Sequence, residues 1–139
     1  MQIFDLTTPY KLIQARHGLF LANPGDLYIG RALLKYGEYS ELEWQLLEPL
    51  MFSGKDVIEV GANIGAHTVP MARKLAHMGQ RLLAVEPQPV IFQNMCANIA
   101  LNALFNVQAE NAACSDVPGQ LTFQTLDPRH ENNFGGVRM

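Results

Sequence analysis

Val57-Ile58-Glu59-Val60-Gly61-Ala62-Asn63-Ile64-Gly65 decides the fold class. Its first four residues are a short, mostly β-branched run, the composition of a strand in a buried sheet. Gly61 permits a tight turn and a close ligand approach, because no Cβ intervenes. Asn63 is one of the few other residues that tolerates the left-handed backbone region. Gly65 allows close approach at a helix start, whose free N–H groups favour an anionic group. Pro70 suits the first turn of that helix, and Gly79 the position past its end. Met71, Leu75 and Met78 supply the helix's apolar face. The stretch reads as strand, glycine turn, helix.

Working downstream, residues 81–85 form a second apolar strand that ends at Glu86-Pro87. Residues 89–102 read as a helix, with Phe92, Met95, Cys96 and Ile99 at helical spacing, which puts Cys96 in the core. Residues 107–113 read as a third strand. This β-α-β-α-β order implies a parallel sheet in an α/β fold, with ligands bound beyond the carboxyl ends of the strands. After Pro118-Gly119, residues 121–125 alternate and predict a β-arm.

Upstream, Asn23-Pro24-Gly25-Asp26 is strong turn chemistry between two short apolar stretches, and predicts an N-terminal β-hairpin. Residues 31–36 suit a helical turn closed by Gly37. Ser40-Glu41-Leu42-Glu43 fits a capping box with Ser40 at the N-cap. Leu42, Leu46, Leu47 and Leu50 follow as an amphipathic stripe, and Pro49 ends or kinks that helix near Glu48. Trp44 and the methionines read as core or interface.

Composition narrows the function classes. The 139 residues suffice for one core and not for two. A 48% hydrophobic and 17% charged balance excludes a disordered or collagen-like chain. With a net charge of −3 and no run of like charge, a dedicated nucleic-acid clamp is excluded. No apolar run approaches the roughly 18 residues of a membrane span, and residues 1–12 lack the apolar stretch of a signal peptide. Cys96 and Cys114 read as free thiols, which predicts a reducing, cytoplasmic setting. His17, His77 and His130 make no metal-ligand spacing, so no metal is expected.

Glu86 lies at the separation from the glycine turn at which an acidic residue accepts both hydroxyl hydrogens of a ribose. Glycine turn and acid together predict a nucleoside-containing cofactor. The competing reading is that the glycines serve only the turn and that Glu86 is solvated. A dinucleotide fingerprint wants Gly-x-Gly-x-x-Gly. Laid on Gly61, its second and third glycine positions hold Asn63 and Ala66. Asn63 then puts a side chain where a pyrophosphate needs bare backbone, which counts against an NAD(P)-dependent oxidoreductase. Gly54-Lys55 is no phosphate loop, because Pro49 stands at the first glycine position and Asp56 at that of Ser/Thr.

The observed spacing, Glu59-x-Gly61-x-Asn63-x-Gly65, resembles the first motif of Rossmann-like S-adenosylmethionine-dependent methyltransferases. Residues 59–68 are similar to the FkbM-type family of these enzymes, which carries Asp/Glu-Val-Gly-Ala-Asn-Ile-Gly at this point. Tyr36-Gly37-Glu38-Tyr39-Ser40-Glu41, Val85-Glu86-Pro87-Gln88-Pro89 and Asn133-Phe134-Gly135-Gly136 also look similar to it. The resemblance covers the chain from about Gly18 onward. It implies that Gly61, Ala62, Asn63 and Gly65 lie along the methionine and ribose of S-adenosylmethionine, and that Glu59 supports the loop near the methionine amine. It implies that Glu86 holds the ribose hydroxyls, that Pro87 and Gln88 lie beside the adenine, and that Asn111 and Ala112 border its edge. Tyr36 and Ser40 would close over the cofactor, or else serve as packing and N-cap. His67 either faces a substrate or packs at the helix start. The activity implied is methyl transfer to a hydroxyl of a small molecule or saccharide.

The family pattern breaks off after the third strand. No counterpart of its next strand, with a Lys-Ile-Asp-Val-Glu-Gly-like motif, is present. The expected organisation is a hairpin or cap region over residues 1–36 and a partial Rossmann-like domain over 37–139, truncated before the fourth strand. Residues 57–60 would then be an open apolar edge, which invites pairing. A second copy of the chain is the partner this suggests. A non-catalytic half-domain that only binds cofactor or associates is the other reading, and the isolated chain is expected to be inactive.

Overall fold

The computed structural model describes residues 9–52, 54–120, 122, 124 and 126–136. Strands β1 (Lys11–Ala15) and β2 (Gly18–Ala22) form an antiparallel hairpin with Ala15 opposite Gly18. The hairpin turn is therefore Arg16-His17, and not the predicted Asn23-Pro24-Gly25-Asp26. Neither Arg16 nor His17 has a positive φ; the glycine of the turn is Gly18, just after it, at φ 155°. The Asn23 tetrad instead leads into helix α1 (Ile29–Tyr36). Asn23 Oδ1 accepts the Gly25 N–H at 2.8 Å, and the Asp26 carboxylate accepts the Gly30 N–H at 2.9 Å and the Tyr28 N–H at 3.2 Å. Gly37 closes α1 in the left-handed region, as predicted.

Helix α2 (Glu41–Leu47) runs into a 3-10 turn, Glu48–Leu50, at Pro49. Two predictions fail on this helix. Ser40 stands at the N-cap with a left-handed backbone (φ 50°) and makes no side-chain cap hydrogen bond, so there is no capping box. The leucine stripe faces outward, with Leu42, Leu46 and Leu50 exposed, and the residue that α2 buries is Trp44.

Strands β3 (Val57–Val60), β4 (Leu82–Val85) and β5 (Val107–Glu110) build a parallel sheet in the order β3-β4-β5. Val57 pairs with Leu82, and Leu82 with Val107. The third strand stops at Glu110, three residues short of its predicted end. Helices α3 (Thr68–His77) and α4 (Pro89–Leu101) are the connections. They cover one face, burying Leu82 and Ala84 completely. On the opposite face Ile58 is 68% exposed and Val60 60%. β3 also has no strand on its outer side among the described residues. Both observations agree with the open edge expected there. Cys96 is only half-buried, because α4 turns Ile91, Asn94, Met95 and Asn98 inward.

Hairpin and sheet share one core, in which Phe20, Leu33, Trp44, Val69, Leu75, Leu82 and Phe134 are buried. They are also stitched together by an asparagine column on α4. Asn94, Asn98 and Asn102 stand one helical turn apart and face the free edge of β2. Leu21 donates its N–H to Asn98 Oδ1 at 2.7 Å and receives Asn94 Nδ2 on its carbonyl at 3.0 Å. Leu19 makes the same pair of bonds with Asn102, at 3.0 and 2.7 Å. Side-chain amides thus satisfy an edge that would otherwise seek another strand.

The predicted β-arm lies outside the described residues at 121, 123 and 125, and Thr122 and Gln124 belong to no strand. Residues 1–8 and 137–139 also lie outside them. Among the described residues, no helix is long and apolar enough to cross a membrane.

Candidate functional site

The glycine turn joins the carboxyl end of β3 to α3. Gly61, Asn63 and Gly65 all have positive φ, at 77°, 52° and 86°, as the sequence pattern requires. A Cβ on Gly61 would meet nothing within 4 Å, so Gly61 leaves open space on the cleft side. A Cβ on Gly65 would touch Met95 and Thr68 at 3.4 Å, so that glycine serves the approach of turn to helix.

The amides of the turn are all committed. Gly61 and Ala62 donate to the Val85 carbonyl at 2.8 and 3.0 Å. Asn63 donates to Glu86 Oε2 at 2.9 Å, Ile64 to Asn63 Oδ1 at 2.8 Å, and Gly65 to the Ala62 carbonyl at 2.9 Å. The Ile64 carbonyl in turn accepts Asn98 Nδ2 at 2.8 Å. The turn is pinned to β4 on one side and to α4 on the other. It holds out no free N–H from these five residues to an anion.

Beside the turn opens a cleft of about 400 Å³. Glu59, Gly61, Ala62 and Asn63 line it from the β3 side, and Ala66 and His67 from the start of α3. Asp26, Tyr28, Tyr39 and Glu43 come from the N-terminal elements, and Asn133, Gly135 and Gly136 from the last loop. Glu59 accepts the Thr68 hydroxyl at 2.6 Å. Burial raises its carboxyl to about 7, and the Thr68 bond only partly opposes this. His67 lies in the cleft wall, with its ring 6.1 Å from that of Tyr39 and Nε2 3.9 Å from Glu43 Oε2.

Glu86 is buried, so the solvated alternative is excluded. Its carboxylate bridges two loops, taking the Asn63 N–H on one oxygen and the Gln88 N–H on the other, both at 2.9 Å. Burial raises its pKa, and those two N–H groups counteract. Asn111 Nδ2 donates to the carbonyls of Glu86 and Pro87 at 2.8 and 3.0 Å. Pro87, Asn111 and Ala112 line a second, wider cleft of about 980 Å³ with Ala113 and Ser115. Gln88 points its amide elsewhere, to the Phe134 carbonyl at 2.6 Å. Tyr36 is 65% exposed, lines neither cleft and lies under Lys35 Nζ, so packing does not describe it either. Ser40 likewise lines neither cleft.

Several residues of the cleft, some of them in stretches that resemble the family, are given no site role by the sequence. Tyr39, Glu43 and Asp26 reach it only through the packing of α1 and α2. The last loop is fixed by Phe134, which is buried in the core, and by Asn132, which bridges to the turn before α1. A Cβ on Gly135 would stand 2.9 Å from Asn63 Nδ2, so the loop passes close over the glycine turn. The Asn98 link was detectable in principle, because asparagines at 94, 98 and 102 repeat at one helical turn.

No protein-family model and no curated protein matches the chain. Solved structures do. TYW2 of M. jannaschii, in complex with AdoMet, superposes with a TM-score of 0.59 at 22% identity, covering 84% of this chain and 49% of its own. A SAM-dependent methyltransferase from Agrobacterium tumefaciens gives 0.55 at 12% identity, covering 77% of this chain and 33% of its own. The chain thus spans at most about half the length of these two proteins. The likeness establishes a Rossmann-like α/β fold of the kind found in methyltransferases.

Proposed function

We propose that this chain carries the S-adenosylmethionine site of a methyltransferase of the FkbM type, acting on a hydroxyl of a small molecule or saccharide. The observation that carries the reading is the pairing of a half-buried carboxylate, Glu59, with a glycine turn whose own amides at 61–65 are spent. A pyrophosphate needs free backbone N–H groups at this point. A cofactor that presents an ammonium group and no phosphate needs the carboxylate instead.

S-adenosylmethionine supplies an electrophilic methyl group, and in-line displacement at that carbon is accelerated chiefly by positioning. Glu59 would face the ammonium. Glu86 would offer its remaining lone pairs to the ribose diol. Pro87 and Ala112 would border the adenine in the wider cleft, with Asn111 fixing that wall and Gln88 anchoring the last loop. The aromatic faces of Tyr28 and Tyr39, beside Glu43 and Asn133, suit an acceptor with a ring and several hydroxyls. Two free cysteines suit a cytoplasmic setting.

Calorimetric titration with S-adenosylhomocysteine is expected to give one-to-one binding. Flat heats, together with thermal stabilisation by NAD, would overturn the reading.

The open β3 edge and the exposed Ile58 and Val60 support a second proposal, that a second copy of this chain covers them. Light scattering is expected to return twice the chain mass of 15.5 kDa. A stable, soluble monomer contradicts it.

A further inference from the structure

We propose that His67 binds the carboxylate of the cofactor's amino-acid end, so that His67 and Glu59 together recognise an α-amino acid as a zwitterion. The inference rests on the methyl-donor reading above and assigns a residue that reading leaves open. Four observations support it.

First, His67 and Thr68 are consecutive at the start of α3. The Thr68 hydroxyl bonds to Glu59 at 2.6 Å, and both Glu59 and His67 line the cleft beside the glycine turn. An acid and a hydrogen-bonding ring nitrogen therefore line the same cleft, as the ammonium and carboxylate of an α-amino acid require. Second, Nε2 of His67 is shielded from solvent and has no hydrogen-bond partner among the described residues. A buried polar atom of this kind calls for a partner, and a ligand in the cleft supplies one. Third, the amides of residues 61–65 are all bonded internally, so a carboxylate in the cleft is left the side chains and the first amides of α3. Fourth, the other charged groups of the cleft, Asp26, Glu43 and Glu59, are acidic and would repel a carboxylate. Glu43 Oε2, at 3.9 Å from Nε2, is too distant for a hydrogen bond and belongs to a largely exposed side chain that can turn away.

The test compares S-adenosylhomocysteine with 5′-methylthioadenosine, which shares the nucleoside and lacks the amino-acid end. His67→Phe keeps a flat ring and removes the donor. It is expected to weaken S-adenosylhomocysteine roughly tenfold to a hundredfold, and to leave 5′-methylthioadenosine unchanged. His67→Gln restores an N–H donor and is expected to recover most of the loss. Unchanged affinity for S-adenosylhomocysteine in His67→Phe, or an equal loss for both ligands, overturns the assignment while the methyl-donor reading stands. If the unmodified protein binds neither ligand, that reading fails and this one with it.

Discussion

S-adenosylhomocysteine is expected to bind about tenfold more tightly at pH 8 than at pH 6, and Glu59→Gln to lose both that rise and most of the affinity. The sign follows from the carboxyl at 59, which burial holds near 7. Below that pH the empty site carries a proton where the ammonium must go, and binding must displace it. Above it the carboxylate is ready. His67, Glu43, Asp26, Tyr28 and Tyr39 share the cleft. The Glu59→Gln profile isolates whatever these groups contribute.

The same group makes a matching prediction for stability. A carboxyl whose folded value is raised from 4.5 to about 7 favours the folded state fully below 4.5. That contribution is lost as pH rises through 7. At pH 8 the buried charge costs the free protein about 3 kcal/mol. Glu59→Gln is therefore expected to raise the melting temperature of the ligand-free protein at pH 8 while weakening its ligand. Lowered stability at pH 8, or a flat binding profile in the unmodified protein, contradicts the assignment.

The second large effect is expected at Asn98. It is fully buried, and its amide joins the Leu21 N–H of the hairpin to the Ile64 carbonyl of the glycine turn. Asn98→Ala leaves both backbone groups without this partner in a site that water does not reach. Each such group costs about 1–3 kcal/mol, so a loss of about 3 kcal/mol is expected. For a chain of this size that lowers the melting temperature by roughly 10 °C. Asn102→Ala breaks both bonds to Leu19 and those to the Asn98 carbonyl and Arg73, but at a more exposed position, and should cost less. Asn94→Ala, which breaks one bond to the Leu21 carbonyl, should cost about 1 kcal/mol. Calorimetric melting of the three variants checks the order, and an Asn98→Ala protein that melts within 2–3 °C of the unmodified one (under about 1 kcal/mol) refutes the link.

The parallel sheet was legible because its signals are local. Three apolar runs, two helical periodicities, and glycines at 61, 65 and 79 each reflect a backbone demand that few other residues meet. The hairpin turn was not legible, because Arg16-His17 needs no special residue and a stronger turn sequence stands nearby. The leucines at 42, 46 and 50 have helical spacing, yet packing rather than periodicity chose the buried residue, Trp44. The floor of the cleft, from Glu59 to Asn63, was readable, since one continuous motif builds it. Its walls were not. Tyr39, Glu43 and Gly135 arrive from elements whose placement depends on Phe134 and on an asparagine column that looks like ordinary helix surface.

Trp44 carries one more consequence. It is the sole tryptophan of the chain and is buried among hairpin and helix residues, with the His17 ring edge-on at 5.8 Å. Its emission therefore comes from a single indole at the joint between the N-terminal elements and the rest of the fold. A red shift will register loosening of that joint. The molecule thus carries an optical gauge of whether the far wall of its cleft is in place.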